Sequence, residues 1–298
     1  MQWDSHQLSS LAAVVRTGSF DAAAHDLHIT PSAMSQRIKA LENAAGQILV
    51  RRGRPSVATE AGEVLIRLAG QTTLLEQEAA AELRAGDDGP VRVAIAVNAD
   101  SLATWFLAVL GDVRARHDVV FDLRQEDESA SAELLRDGSV MAAVTAEPTA
   151  VQGCTAVPIG SMRYVPMAAP QFHERHIAGA DSLAAALSEA PMLNFNRVDS
   201  LQHRYARSVA RRRVDPPQHF VPSSEAFSEA VRMGLGWGLL PEKQLRCDAA
   251  DGPDRLIRLD DRHVDVPLYW QHWRLESTIL HALSEAVLAH AKATLRHP

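Results

Sequence analysis

The stretch ITPSAMSQRIKALE, residues Ile29 to Glu42, carries two stripes at once. Met34, Ile38 and Leu41 recur at helical spacing, and Ala45 continues the row, so one face suits a core. Ser32, Ser35, Gln36, Lys39 and Asn43 share the opposite face at i, i+3, i+4, i+7 and i+11. Thr30 is placed to cap the helix, Pro31 takes the first helical position, which it favours, and Gly46 ends it. Most polar helix faces are merely solvated, so the neighbouring sequence has to decide what this one does.

Upstream, Leu8, Leu11, Ala12 and Val15 mark a first helix broken at Gly18. Ser19 can cap a second, whose apolar face is Phe20, Ala23, Ala24 and Leu27. Helix, tight turn and a later helix is the helix-turn-helix plan, in which the later helix enters the DNA major groove. Downstream, VRRGRPSVAT has the length and Gly-Pro turn chemistry of a small β-hairpin. Between Pro31 and Ala58 the bases Arg37, Lys39, Arg51, Arg52 and Arg54 face a single acid, Glu42. The whole chain carries a net charge of −7, so contact with a polyanion has to be local to that stretch. The DNA-contact candidates are therefore Thr30, Pro31, Ser32, Ser35, Gln36, Arg37 and Lys39, followed by Arg51, Arg52 and Arg54. Gln can pair bidentately with adenine and Arg with guanine. The helix N-terminus suits a phosphate. The hairpin arginines are placed for the backbone or a minor groove. Arg37 lies between the two stripes, with a base, a phosphate or the neighbouring helix within its reach.

A long helix is expected from Thr59. Its positions Ala61, Leu65, Leu68, Thr72, Leu75 and Ala79 are spaced 4-3-4-3-4, a heptad seam that predicts pairing with a second copy. The competing expectation is a helix packed on its own domain. GDDGP at 86–90 reads as a linker. From Val91 strands alternate with helices, which predicts a parallel, doubly wound α/β sheet. The predicted strands are VRVAIAV, VVFDLRQ, VMAAVTA, MLNF, HFV, GWGLLP and VPLYWQHW. Helices are expected over 102–116, SAELLRDG, 200–212, 223–233 and 276–296. Two α/β units joined by crossing strands fit this order.

Ligands of open α/β sheets bind at the carboxyl ends of strands. Asn98, Asp100 and Ser101 follow the first such end. Asp127 follows the second, with Glu126 and Glu128 beside it. Thr145 ends the third, and Asn196 ends the first strand of the second unit. Ser101 with free helix N–H groups suits a carboxylate, and the acids suit a cation, so a molecule carrying both charges fits. For each acid taken alone, a solvated loop charge is the competing reading. Gly234, Gly236 and Gly238 follow a helix without GxGxxG spacing and read as a helix stop. His25/His28 and His173/His176 lack the partners of a metal site. Trp270, His272 and Trp273 read as core or hinge packing. Two cysteines far apart, Cys154 and Cys247, predict neither a disulfide framework nor zinc. No signal peptide or membrane span is visible, which predicts a cytoplasmic protein. No cofactor or metal is expected, and no nucleophile motif is visible.

TGSFDAAAHDLHITPSAMSQRIKALENAAG and RRGRPSVATEAG resemble the DNA-binding domain of the LysR-type transcriptional regulators, and the element order resembles that family over essentially the whole chain. The resemblance implies an N-terminal winged helix-turn-helix (1–58), a dimerising linker helix and hinge (59–89), and a two-lobed, periplasmic-binding-protein-like effector domain (90–298). Lobe I would take about 90–163 plus 266–298, and lobe II about 164–265. It further implies a homodimer or tetramer on a pseudo-palindromic operator, with RNA polymerase as a further partner. Many members read Ser-Arg-Gln-Ile in the recognition helix, whereas this chain has Ser35-Gln36-Arg37-Ile38. That order, with VNADSLATWF at 97–106, resembles the LysG/ArgP-like branch, which implies lysine or arginine as effector and an amino-acid exporter gene as target. The rival expectation is a small-molecule-binding module or enzyme on the α/β lobes, with residues 1–58 serving as a protein-interaction domain.

Overall fold

A computed structural model describes residues 3–83, 89–125, 128–245 and 255–297. Three helices open the chain: α1 (Ser5–Thr17), α2 (Phe20–Asp26) and α3 (Pro31–Ala45). The caps fall where the sequence places them. Ser19 Oγ accepts from Ala22 N, Thr30 Oγ1 accepts from Ala33 N at 3.1 Å, and Gly18 and Gly46 end their helices in the left-handed region. Each such side-chain cap stabilises its helix by about 1 kcal/mol. Strands β1 (Val50–Arg51) and β2 (Val57–Ala58) pair antiparallel as the expected hairpin.

Helix α4 (Glu60–Leu83) follows, and its seam divides. Leu65 is buried with Leu11, Val14, Met34, Ile38 and Leu41, and Ala61 and Leu68 pack on the same core. Glu76 accepts from Ser5 Oγ at 3.2 Å. The first half of the helix is thus held within its own chain, as the competing expectation had it. Further along, Leu75 is 41% exposed and Ala79 is open to solvent.

Two compact units emerge. One comprises Met1–Asn98, Val109–Val157 and Tyr269–Ala286. The other comprises Ala99–Ala108, Pro158–Leu268 and Val287–Pro298. In the first, β3 (Val91–Val97) pairs parallel with β4 (Val119–Gln125) and with β5 (Ala142–Thr145). The end of β11 (Val264–Trp273) runs antiparallel to β5. Helix α7 (Glu128–Arg136) packs on β5, and Ala96, Leu135, Val140, Ala143 and Trp273 form the core. The same unit holds α4 in place: Arg67 Nη1 donates to Arg136 O at 2.6 Å, and Gln77 Oε1 accepts from Arg92 N at 3.1 Å. Glu78 accepts from Ser277 Oγ and Ile279 N at the start of α13 (Thr278–Thr294).

A strand absent from the sequence reading, β6 (Cys154–Ala168), enters the second unit at Pro158 and there pairs antiparallel with β9 (Gly238–Pro241) and β10 (Ile257–Arg258). The short strands β7 (Met192–Asn194) and β8 (Gln218–Phe220) run parallel. Helices α8 (Pro170–His176), α9 (Leu183–Glu189), α10 (Leu201–Ala210) and α11 (Ser224–Arg232) and the single turn α12 (Glu242–Leu245) also belong to this unit. Val165, Met167, Leu193, Phe227, Val231 and Leu240 form this unit's core. Strands β6 and β11 each begin in one unit and end in the other, as the crossing-strand reading expected.

The segment expected as one helix over 102–116 differs. A helical turn α5 (Ala99–Ser101) comes first, a π-helical stretch spans Leu102–Phe106, and α6 (Leu107–Arg114) follows. Asp100 and Ser101 therefore lie inside the first turn rather than before it. Among the described residues no helix is long and apolar enough to cross a membrane. Among them, too, no three His, Cys, Asp or Glu side chains gather as metal ligands.

Candidate nucleic-acid interface and effector site

The polar face of α3 is open. Thr30, Pro31, Ser32, Gln36, Lys39 and Asn43 are exposed and Ser35 is half-buried, while Met34, Ile38 and Leu41 are enclosed. Arg37 is half-buried and turns toward α1, its Nη1 3.5 Å from Ser10 Oγ, so the structure places it against the neighbouring helix. Arg51, Arg52 and Arg54 are exposed on the hairpin. Arg52 is not a loose cation, because its guanidinium lies 4.6 Å over the Phe20 ring, which aims it.

Three fixings set this surface, and the sequence showed none of them. Glu42, the one acid of the basic stretch, accepts from Leu49 N at 2.9 Å and Val50 N at 3.4 Å, tying α3 to the hairpin. Ser56 N donates to Gly18 O at 2.8 Å, so the hairpin also rests on the α1–α2 turn. Gly62 leaves no room for a side chain: a Cβ there would sit 2.1 Å from Leu49 O. Recognition helix, hairpin and α4 are thus one rigid body presenting a helix N-terminus, two amide-type polar side chains and several cations on one surface.

The strand-end residues divide between the two units. Asn98 and Thr145 follow Val97 and Val144, which are partners in adjacent parallel strands, so both lie at carboxyl ends in the first unit. Asn98 is buried and its Oδ1 has no hydrogen-bond partner, while Thr145 Oγ1 accepts from Glu147 N at 3.1 Å. Asn196, in the second unit, uses its Oδ1 to accept from Val198 N and Asp199 N, a local turn. Asp127 lies outside the described residues, as do Glu126, Cys247 and positions 86–88 of the expected linker.

Asp100 is the best-built member. In the second unit its Oδ2 accepts from Tyr164 Oη at 2.7 Å and its Oδ1 from Ser224 Oγ at 2.6 Å. Burial pushes its pKa above the ordinary 3.8. The two hydroxyl donors pull it back, and the negative charges of Asp199 and Glu225 add to the rise. Ser101 beside it is fully buried with no partner for its hydroxyl oxygen. Neither Tyr164 nor Ser224 was singled out in the sequence. They stand 64 and 124 residues from Asp100, and only the fold brings them to it. A hollow of about 620 Å³, within the range of small-molecule sites, opens in the same unit. Thr104, Glu225, Ser228, Lys243 and Gln244 are among its walls. Asp100 and Ser224 are both absent from that lining, and Asp100 is linked to it through two side chains, Ser224 and then the wall residue Gln244. Chemically the arrangement is a partly desolvated carboxylate held by neutral donors beside further acids, which favours a cationic group.

Residues 5–63 match the bacterial regulatory helix-turn-helix proteins of the lysR family, and residues 84–292 match the LysR substrate-binding domain. The chain belongs to the LysR family. This LysR-type transcription regulator thus joins a helix-turn-helix DNA-binding domain to an effector-binding domain, the α/β architecture expected from the sequence. It is 50% identical over 298 residues to the HTH-type transcriptional regulator LysG of Mycobacterium tuberculosis, covering 99% of this chain and 96% of that one. Identity to the lysine export transcriptional regulatory protein LysG of Corynebacterium glutamicum is 43% over 295 residues, 97% and 98% of the two chains. Among solved structures, ArgP from Mycobacterium tuberculosis superposes with a TM-score of 0.87 at 50% identity, covering both chains fully. Full-length LysG from Corynebacterium glutamicum with bound effector Arg gives 0.79 at 40%, covering 99% of this chain and 100% of that one.

Proposed function

We propose that this LysR-type regulator senses a basic amino acid, lysine or arginine, and controls an amino-acid exporter gene. The carrying observation is Asp100, a partly desolvated carboxylate whose partners are hydroxyls and whose nearest charges in effect are the acids Asp199 and Glu225. LysG of Corynebacterium glutamicum supports it on two counts: it is named for lysine export, and it was solved with arginine bound. Asp100 receives the cationic end of the effector. Asn98, Ser101, Thr145 and Asn196 stand as further contacts, and Asp127 remains a candidate from its place in the sequence.

In this reading the chain works in the cytoplasm as a homodimer or tetramer, divided as 1–58, 59–89 and 90–298. The α4 face that the chain leaves open receives the second copy. Val64 and Leu75, about three helical turns apart, head that face at 52% and 41% exposed. The two α3 helices then reach the half-sites of a pseudo-palindromic operator, and effector binding shifts their spacing and the contact with RNA polymerase. The chemistry proposed for the chain is binding, not catalysis.

The test is a gel-shift with the DNA upstream of the protein's own gene and of neighbouring transporter genes, with and without lysine or arginine. The expected result is a specific complex whose mobility or affinity changes with the basic amino acid. A complex indifferent to both, but responsive to a neutral or anionic metabolite, overturns the effector reading.

A further inference from the structure

The hydrogen bonds to Asp100 continue outward in a fixed order. Ser224 Oγ, which donates to Asp100, accepts from Gln244 Nε2 at 2.9 Å. Gln244 Oε1 in turn accepts from Ser228 Oγ at 2.7 Å. Ser224 and Ser228 are both buried, four residues apart on one face of α11, and Gln244 bridges them from α12.

An amide has a donor end and an acceptor end, and that asymmetry gives the chain a direction. With Nε2 toward Ser224, the Ser224 hydrogen is left for Asp100, which accepts it as a carboxylate. With the amide turned over, Oε1 takes the Ser224 hydrogen, and Ser224 Oγ can face Asp100 only if Asp100 carries a proton of its own. The two orders are alternatives: the first gives an ionised Asp100 a donor, and the second denies it one.

We infer that Gln244 is a positioning residue of the effector site, holding Ser224 as a donor so that Asp100 stays ionised toward a cationic ligand. The inference rests on the reading of Asp100 as the effector's cation contact. The charged and titratable groups that bear on Asp100 are Tyr164 from β6, Asp199 ahead of α10 and Glu225 from α11. Glu229, Arg232 and Lys243 stand farther out along the hollow. All six are unchanged in the variants below, and Gln244→Met and Ser228→Ala add no charge, so a shift in those two reports the relay.

The experiment is calorimetric titration of the full chain with arginine across pH, on the wild type, Gln244→Glu, Gln244→Met, Ser228→Ala and Asp100→Asn, with melting temperatures recorded alongside. Gln244→Glu offers only acceptors to Ser224 and adds a like charge. The pH at which arginine affinity falls to half should therefore move up by about one unit. Gln244→Met and Ser228→Ala should move it less and in the same direction. A residue that only supports the fold would lower the melting temperature and leave that pH where it is in the wild type. An unmoved midpoint in all three relay variants overturns the inference, while loss of binding in Asp100→Asn keeps the effector reading intact. Arginine affinity unaltered in Asp100→Asn overturns both.

Discussion

The two working surfaces of this protein are built in opposite ways. The α3 face is made by one continuous segment: a cap, a proline, an apolar stripe and a polar stripe within sixteen residues, Thr30 to Ala45. The Asp100 site is made by side chains from α5, β6, α11 and α12, and its partners stand 64 and 124 residues from Asp100, with Gln244 a further 20 beyond Ser224. A surface of the first kind is set by helical periodicity, which one sequence displays. A surface of the second kind is set by topology and register, which one sequence does not.

The contrast can be broken at its base by Gly62→Ala. The new Cβ would meet Leu49 O at 2.1 Å; that oxygen is backbone and the Cβ is fixed by the helix that carries it, so neither yields cheaply. Overpacking of this kind costs about 1–3 kcal/mol, and a clash with backbone places this case toward the upper end. Thermal unfolding should show the DNA-binding region melting early, with operator binding lost. A variant as stable as the wild type would mean that hairpin and α4 are not one rigid body.

A smaller effect sharpens the claim that the outward stripe reads bases. Gln36→Ala should cost about 1–3 kcal/mol on the preferred operator and relax base preference at one position, measured by competition among operator variants. Equal loss on every sequence would demote Gln36 to a backbone contact. Lys39→Ala should weaken all sequences alike and reduce the salt slope by about 1, read from binding across salt concentrations. The smallest effect is expected at Arg52. Losing its stacking on Phe20 at an exposed site should cost about 0.5–1 kcal/mol of stability, with a comparable uniform loss of DNA affinity.

These two modes of construction also explain what was legible beforehand. Helix starts and stops at Ser19, Thr30, Gly18 and Gly46 follow local chemistry and were readable from residue type. So were the strands Val91–Val97 and Val119–Gln125, whose β-branched runs have bounded lengths. The fifteen-residue strand Cys154–Ala168 was missed because Pro158, Gly160 and Pro166 interrupt its pattern. The heptad seam of α4 serves two partners, only one of which its spacing suggests. Its spacing is real, but Leu65 is consumed by the core of the same chain, and periodicity cannot name the partner. Asp100 was found as a strand-end acid, whereas Tyr164, Ser224 and Gln244 carry no local signal at all. Glu42 stood out only as the lone acid of a basic stretch, and its role in bracing the hairpin needed the fold.

The most direct test of the account compares wild type with Asp100→Asn, by arginine and lysine calorimetry and by melting temperature. The substitution is close to isosteric: Asn Oδ1 can accept from Ser224, and its Nδ2 can donate to the Tyr164 hydroxyl. A carboxyl whose native pKa is raised by burial favours folding at acid pH and loses that contribution as pH rises through the native value. Removing the charge should therefore leave the melting temperature at neutral pH unchanged or slightly higher. Affinity for both basic amino acids should fall by about 100-fold, as expected when a desolvated charge partner is removed. A variant that binds arginine as tightly as the wild type, or a wild type that binds neither amino acid, would contradict the account.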